Sequence, residues 1–379
     1  MVSAVRTVKL SPPEVRNSDA RNVFRAIRKR QLSQGTFLAK FELSLKEELG
    51  VEHVMTVSSC TTGLQLILSG LALEPGDEVI VPNFTFPATI NTVIQERLKP
   101  VLVDIDLETF CINADSLRSA IGPRTRAVIV VHAFGHPAEM DQIMKIAEEC
   151  SIRVIEDAAC AIGSRIEGVP VGGFGVASAF SFHPRKVLTT GEGGAVATND
   201  TILAEKLKVL RSHGGVRGDA YMSFVAAGFN FRMSDINAAL GLSQIPRLGK
   251  IISRRNQAAR DYSELFSDMK EITTPTVAEG MEHTFQSYVV TLAPYIDRDR
   301  VIAFLRSRGI ETTLGTYALS EQPAYQSLVR KGQDLTNSVF AFKHSLALPM
   351  SSSTSKRERR RVVKAVKEAI AKNENLLQS

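Results

Sequence analysis

The 379-residue chain has little cysteine, and the little it has does not pair. Cys60, Cys111, Cys150 and Cys160 lack both the spacing of a disulfide framework and that of a metal site. Free thiols in a reducing compartment are the expectation. No apolar run approaches the ~20 residues a membrane-spanning helix needs. Met1-Val2-Ser3-Ala4-Val5-Arg6 has no apolar signal core. A cytoplasmic protein without a membrane partner is therefore expected. There is also no glycine-rich nucleotide fingerprint, internal repeat, low-complexity stretch or disordered linker.

What remains is an ordinary globular composition, 44% hydrophobic and 23% charged. The length favours two domains, or one large domain with a smaller companion. The net charge of +6 owes much to Lys356-Arg357-Glu358-Arg359-Arg360-Arg361 near the C-terminus. That cluster has no interleaved aromatics and reads as the solvated face of a last helix, so no nucleic-acid partner is expected. A phosphorylated small substrate would fit the charge equally well.

Residues 1–29 are polar and helix-prone. From about residue 50, short apolar β-branched runs alternate with helical stretches. Val54–Val57, Val79–Val81, Val101–Val103, Ala127–Val131, Arg153–Ile155, Ala177–Phe182 and Gly194–Ala197 read as strands. The helices lie over Thr61–Leu71, about Pro87–Gln95, and Glu139–Cys150. Continuous apolar runs of this kind are written by strands buried on both faces, and the rhythm predicts a parallel α/β sheet with right-handed crossovers. Beyond Ser234 the pattern changes to a long helix at about 248–268, a strand at Ser287–Leu292, a helix at Asp297–Arg308, a short strand and a final helix. This tail reads as a smaller α+β domain.

A sheet of this sort binds ligands beyond the carboxyl ends of its strands, which makes four loops candidates. Ser58-Ser59-Cys60-Thr61-Thr62-Gly63 puts hydroxyls and amides at a helix N-terminus, where a phosphate could sit, although plain N-capping accounts for it as well. Asn83-Phe84-Thr85-Phe86-Pro87 offers an aromatic face, or two core phenylalanines. Ile155-Glu156-Asp157-Ala158-Ala159-Cys160 ends a strand on a carboxylate suited to a cationic ligand atom, or to a helix cap. Phe180-Ser181-Phe182-His183-Pro184-Arg185-Lys186 is followed by Thr189-Thr190-Gly191-Glu192-Gly193-Gly194. A lone loop lysine is ordinarily a solvated surface charge. Desolvation in a pocket, with Arg185 beside it, would lower its pKa and free the amine to attack an aldehyde. A phosphate anchor, an aromatic face, a carboxylate and a Schiff-base lysine together are what pyridoxal phosphate requires.

The chain resembles the DegT/StrS-type (DegT/DnrJ/EryC/StrS) sugar aminotransferases, a branch of the aspartate-aminotransferase fold. The resemblance runs from Gly35 to the last helix. It is carried by Asp77-Glu78-Val79-Ile80-Val81-Pro82, Val131-His132-Ala133-Phe134-Gly135-His136-Pro137, the Asp157 and Lys186 segments, and Gly228-Phe229-Asn230-Phe231-Arg232-Met233-Ser234-Asp235. It implies fold type I: a large α/β domain with a mostly parallel seven-stranded sheet over 30–248, and a small α+β domain over 249–379 with residues 1–29 packed nearby. It also implies pyridoxal 5'-phosphate and its pyridoxamine form as cofactor. The donor would be an amino acid, usually L-glutamate, and the acceptor a keto sugar, most often nucleotide-linked.

The resemblance further distributes roles. Lys186 would bind the cofactor covalently and then shuttle a proton, Asp157 would pair the ring nitrogen, and Phe86 would stack on the ring. Ser181, Thr61 and the Thr62 amide would hold the phosphate, joined by Asn230 from the neighbouring subunit of a homodimer with shared sites. His183 and Arg232 would lie near the substrate, Arg232 meeting a donor carboxylate. The chain departs from the family pattern at Cys60, where Gly or Ala is frequent, and at Cys160, where Gln or His usually touches the cofactor. A lysine rather than a histidine at 186 argues against sugar dehydration. Retention of Lys186 and Asp157 argues against a catalytically idle regulatory or structural partner. Cys111 and Cys150 do not suit a desulfurase. A keto-cyclitol is the alternative acceptor.

Overall fold

The computed structural model describes residues 7–377, with side chains described to residue 372. The Met1–Arg6 segment weighed above as a signal sequence lies outside the described residues. Seven strands form the central sheet: β1 (His53–Val57), β2 (Glu78–Pro82), β3 (Lys99–Val103), β4 (Thr125–Val131), β5 (Arg153–Asp157), β6 (Ala177–Ser181) and β7 (Gly194–Thr198). Their order is β1-β7-β6-β5-β4-β2-β3. The strands from β6 to β3 pair in parallel. The chain therefore has the α/β fold that the apolar runs predicted, on a mostly parallel sheet.

β4 shows why its sequence is apolar throughout. Ala127 and Ile129 point into one buried cluster, and Val128 and Val130 into the other. Successive side chains of a strand face opposite sides, so a sheet covered on both faces needs every position apolar. Burying one such Val or Ile contributes about 1.5–3 kcal/mol.

β7 departs from the uniform parallel rhythm. It runs antiparallel to both β1 and β6. A parallel return needs a crossover of about a dozen residues or more, usually with a helix. The Phe182–Gly193 connection contains no helix and simply turns back. Gly194 follows from the same packing: a Cβ there would lie 2.6 Å from the Phe180 carbonyl oxygen and 2.7 Å from Cys60 N. Only a residue without a side chain lets this turn press against the start of the Cys60–Leu71 helix.

The C-terminal part packs its own core around a four-stranded antiparallel sheet of Ile272–Thr273, Tyr288–Leu292, Ser345–Leu348 and Thr313–Leu314. Tyr262 and Phe266 of the Leu248–Phe266 helix fill it, with Leu305 and Val366 of two later helices. The basic cluster of the last helix is not wholly solvated as expected. Arg359 is buried and pairs with Asp261, whereas Lys356, Arg357 and Arg360 are exposed. Helices at Thr36–Leu49, Thr201–Arg211 and Thr336–His344, and a Gly215–Arg217/Met222–Phe224 hairpin, add to the elements read from sequence. Among the described residues no helix is long and apolar enough to cross a membrane.

Candidate active site

The carboxyl ends of β1, β5 and β6 open onto one cavity of about 570 Å³. Its far wall comes from the C-terminal sheet and the segments around it, at Gln286, Thr313, Leu348 and Met350. The cavity therefore lies between the two sheets.

β1 leads into the Cys60–Leu71 helix through a reciprocal cap. Ser59 Oγ accepts from Thr62 N at 3.1 Å, and Thr62 Oγ1 accepts from Ser59 N at 3.0 Å. The Thr62 amide, expected at a phosphate, thus has the capping serine as its partner in this structure. Thr62 is not among the described residues that face the cavity, whereas Ser59, Cys60 and Thr61 are. Amides in the first turn of a helix have no intrahelical acceptor, and the end carries partial positive charge. The anion-binding end of this helix is thus directed into the cavity at Cys60 and Thr61.

Asp157 is the last residue of β5 and is 6% exposed. No helix follows it, so it is not a helix cap. Thr89 Oγ1 donates to its Oδ2 at 2.8 Å, Ala159 N to its Oδ1 at 3.2 Å, and the Cys60 thiol lies 3.9 Å from Oδ1. Burial pushes this carboxyl above its usual range, against the two hydrogen bonds and the nearby Lys186 charge, which favour ionisation. Thr89 went unnoticed in the sequence, where it stands just past the aromatic motif. The two phenylalanines of that motif separate. Phe84 is buried core, and Phe86 is 64% exposed and borders the cavity.

Lys186 extends to this floor, its Nζ 2.9 Å from Cys160 Sγ. Burial alone would push the amine down, as expected from sequence. The sulfur of Cys160 outweighs it, together with Cys60 and the Asp157 carboxylate, and the amine is held above its usual value. Arg185, expected to act in the opposite sense, is exposed at the rim. Ser181 ends β6 beside the lysine loop and also faces the cavity. His183 stands opposite Glu192, at 3.9 Å, and burial pushes its ring toward the neutral form.

Residues 13–367 match the DegT/DnrJ/EryC1/StrS aminotransferase family. The chain belongs to that family. The GDP-perosamine synthase of Caulobacter vibrioides is 36% identical over 341 residues, 89% of this chain and 91% of that protein. Helicobacter pylori PseC, an aminotransferase of pseudoaminic acid biosynthesis, superposes with a TM-score of 0.93 at 27% identity, over 97% of this chain and 100% of that one. Spr1654 of Streptococcus pneumoniae, named as a candidate sugar aminotransferase, has been solved in pyridoxal- and pyridoxamine-phosphate forms. Its pyridoxamine form superposes with a TM-score of 0.94 at 25% identity, over 98% of this chain and 100% of that one.

This chain is thus a sugar aminotransferase of fold type I that depends on pyridoxal phosphate and acts on small molecules. Its cavity fits the cofactor. A helix start suits the phosphate, an exposed ring face suits a flat heterocycle, and a buried carboxylate lacking a full cationic partner suits a protonated ring nitrogen. The departure at Cys160 has a consequence in geometry, since the lysine amine donates to its sulfur at 2.9 Å. Besides Thr62, two residues singled out in the sequence are not brought in. Asn230 is exposed and Arg232 bridges the backbone of Val57, and neither faces this chain's own cavity. Among the described residues no group of His, Cys, Asp and Glu could hold a metal.

Proposed function

We propose that this aminotransferase takes its nitrogen from L-glutamate and delivers it to the carbonyl carbon of a nucleotide-linked keto sugar. The observation that carries this reading is the meeting of Lys186, Asp157, Phe86 and the Cys60–Leu71 helix start around one cavity. Bound there, the cofactor supplies a carbonyl that accepts an amino group and a ring that takes up negative charge. Lys186 Nζ anchors it and then carries a proton between substrate carbon and cofactor. Asp157 keeps a proton on the ring nitrogen by pairing with it. Phe86 covers one ring face, and Thr61 and Ser181 hold the phosphate. The Thr62 amide joins them in this reading, leaving its cap partner Ser59 for the phosphate. His183, held neutral, borders the substrate, and Cys160 touches the cofactor beside Lys186.

Asn230 and Arg232 act across a homodimer in this reading, Asn230 on the neighbour's phosphate and Arg232 on a donor carboxylate. Their absence from the lining of their own cavity supports it, as does the exposed apolar hairpin nearby, with Tyr221 at 76% and Phe224 at 68%. Residues 30–248 form the cofactor-binding unit and 249–379 the smaller one. All four cysteines are free thiols, the state a reducing compartment maintains, which supports a cytoplasmic location.

The test is optical. Purified protein loaded with pyridoxal phosphate absorbs in the visible, bleaches on adding L-glutamate, and recovers colour when a nucleotide-linked keto sugar is added. Failure to bleach with any amino acid removes the reading. Recovery with a keto-cyclitol but with no keto sugar replaces the acceptor.

A further inference from the structure

Lys186 stands on the irregular β6–β7 connection, whose peptides need partners outside regular structure. One buried side chain provides two of them. Gln286 Nε2 donates to the Arg185 carbonyl at 2.7 Å, and Gln286 Oε1 accepts from Val187 N at 2.9 Å. The amide thus brackets Lys186, with one bond on each side. Gln286 is 4% exposed and faces the cavity. Its own carbonyl accepts from Arg255 Nη1 at 3.2 Å, and the same guanidinium bonds the carbonyls of Phe285 and Met350.

A second donor reaches the same point. Ser11 Oγ bonds the Arg185 carbonyl at 2.9 Å. The preceding residue is tied down in turn, with Leu10 N on Glu311 Oε2 at 3.0 Å and its carbonyl on Met350 N at 2.8 Å. Segments from the start and the last third of the chain therefore converge on the peptides flanking one lysine. A carboxamide is the side chain that donates and accepts from one planar group. Glutamate would lose the donor, and methionine would keep the volume and lose both bonds.

We propose that Gln286, with Ser11 as its second, is a positioning residue for Lys186. It fixes the backbone on both sides of the lysine so that Nζ stays at the cavity floor beside Cys160. The proposal rests on the reading of Lys186 as the covalent anchor. Lysine has four side-chain torsions, so a loose stem spreads the amine over ångströms, and displacements of about 1 Å can cost roughly 100-fold in rate.

Borohydride treatment of the wild-type protein loaded with pyridoxal phosphate comes first. If the fixed cofactor maps to a residue other than Lys186, the underlying reading fails, whatever Gln286 does. With Lys186 established, Gln286→Met and Ser11→Ala are compared with wild type at saturating cofactor. The readouts are glutamate-driven bleaching, visible circular dichroism per unit absorbance, and thermal melting. For Gln286→Met we expect kcat down roughly 10- to 100-fold with KM for L-glutamate within about threefold, since the loss is of orientation and not of donor contact. The dichroism, which reports how rigidly the chromophore is held, falls with it. Ser11→Ala moves both readouts in the same direction by less. A Gln286→Met protein that melts lower yet keeps wild-type kcat and dichroism shows a residue that merely fills the core, and overturns the proposal. If Gln286→Met does not fold, Ser11→Ala decides: a fall in both readouts supports the proposal, and wild-type values overturn it.

Discussion

Lys186 and Asp157 line one desolvated floor, and each favours the charged form of the other. The sulfur of Cys160 and the Asp157 carboxylate hold the lysine amine up, and burial holds the aspartate carboxyl up. Lys186→Ala removes the amine and leaves the phosphate and ring contacts. Glutamate-driven bleaching should fall by about three orders of magnitude or more while pyridoxamine phosphate still binds. Residual turnover above a few per cent would sink the assignment. Asp157→Asn separates chemistry from stability. A carboxyl whose folded pKa is raised contributes stability below its unfolded value, and that contribution is lost as pH rises through the folded value. At neutral pH the charge therefore costs stability in the cofactor-free protein. The amide should melt no lower than wild type there, and up to a few degrees higher, with bleaching slowed about a hundredfold or more. Faster melting together with undiminished bleaching would contradict both halves.

The Ala133–Gly135 turn carries a titration of its own. His136, just after it, meets the His283 ring edge-on at 5.4 Å, and His283 stacks on Phe285 at 4.0 Å. Burial pushes both imidazoles down, His283 well below its usual value, with His136 adding to the shift on His283 and His132 to that on His136. A histidine with a depressed folded pKa stabilises the fold above its unfolded value near 6.5, and that contribution is lost as pH falls below it. The melting temperature should thus drop between pH 7 and pH 5. His283→Gln, neutral throughout, should flatten that slope by up to ~1.4 kcal/mol per pH unit, the weight of one proton. Scanning calorimetry across this range tests it, and parallel curves for the two proteins would show that His283 does not titrate there. Because His283 lies three residues before Gln286, acid loosening of this segment would reach the lysine loop next.

At the scale of the whole molecule the open question is who completes the cavity. Asn230 is exposed, and Tyr221, Phe224 and Val225 present a large apolar surface beside it. In the shared-site reading each site draws Lys186 from one chain and Asn230 from the other. Asn230→Asp would then place a carboxylate against the neighbour's cofactor phosphate. Co-expressed Lys186→Ala and Asn230→Asp chains, each nearly inactive alone, should recover roughly a quarter of wild-type activity. About half of randomly paired dimers are mixed, and each mixed dimer has one intact site. A mixture as inactive as its parents, with mixed dimers verified by tags, would rule out sharing.

Much of this was already legible in the chain. The central strands could be read because burial on both faces demands unbroken apolar runs such as Ala127–Val131. The site segments could be read because strand-end chemistry is local, with Asp157 and Ser181 directly closing β5 and β6. What the sequence could not determine depends on groups that meet only after folding. The reversal of β7 follows from a connection too poor in helix to cross over, and Gly194 from an approach that no local pattern records. The Thr62 amide turns to Ser59 rather than the cavity because capping geometry competes for it. The Lys186 amine is held above its usual value because a sulfur 26 residues away in sequence lies 2.9 Å from its nitrogen and, with Cys60 and Asp157, outweighs desolvation. The bracket on its peptides comes from Gln286, 101 residues from Arg185, through two hydrogen bonds whose lengths and directions exist only in three dimensions.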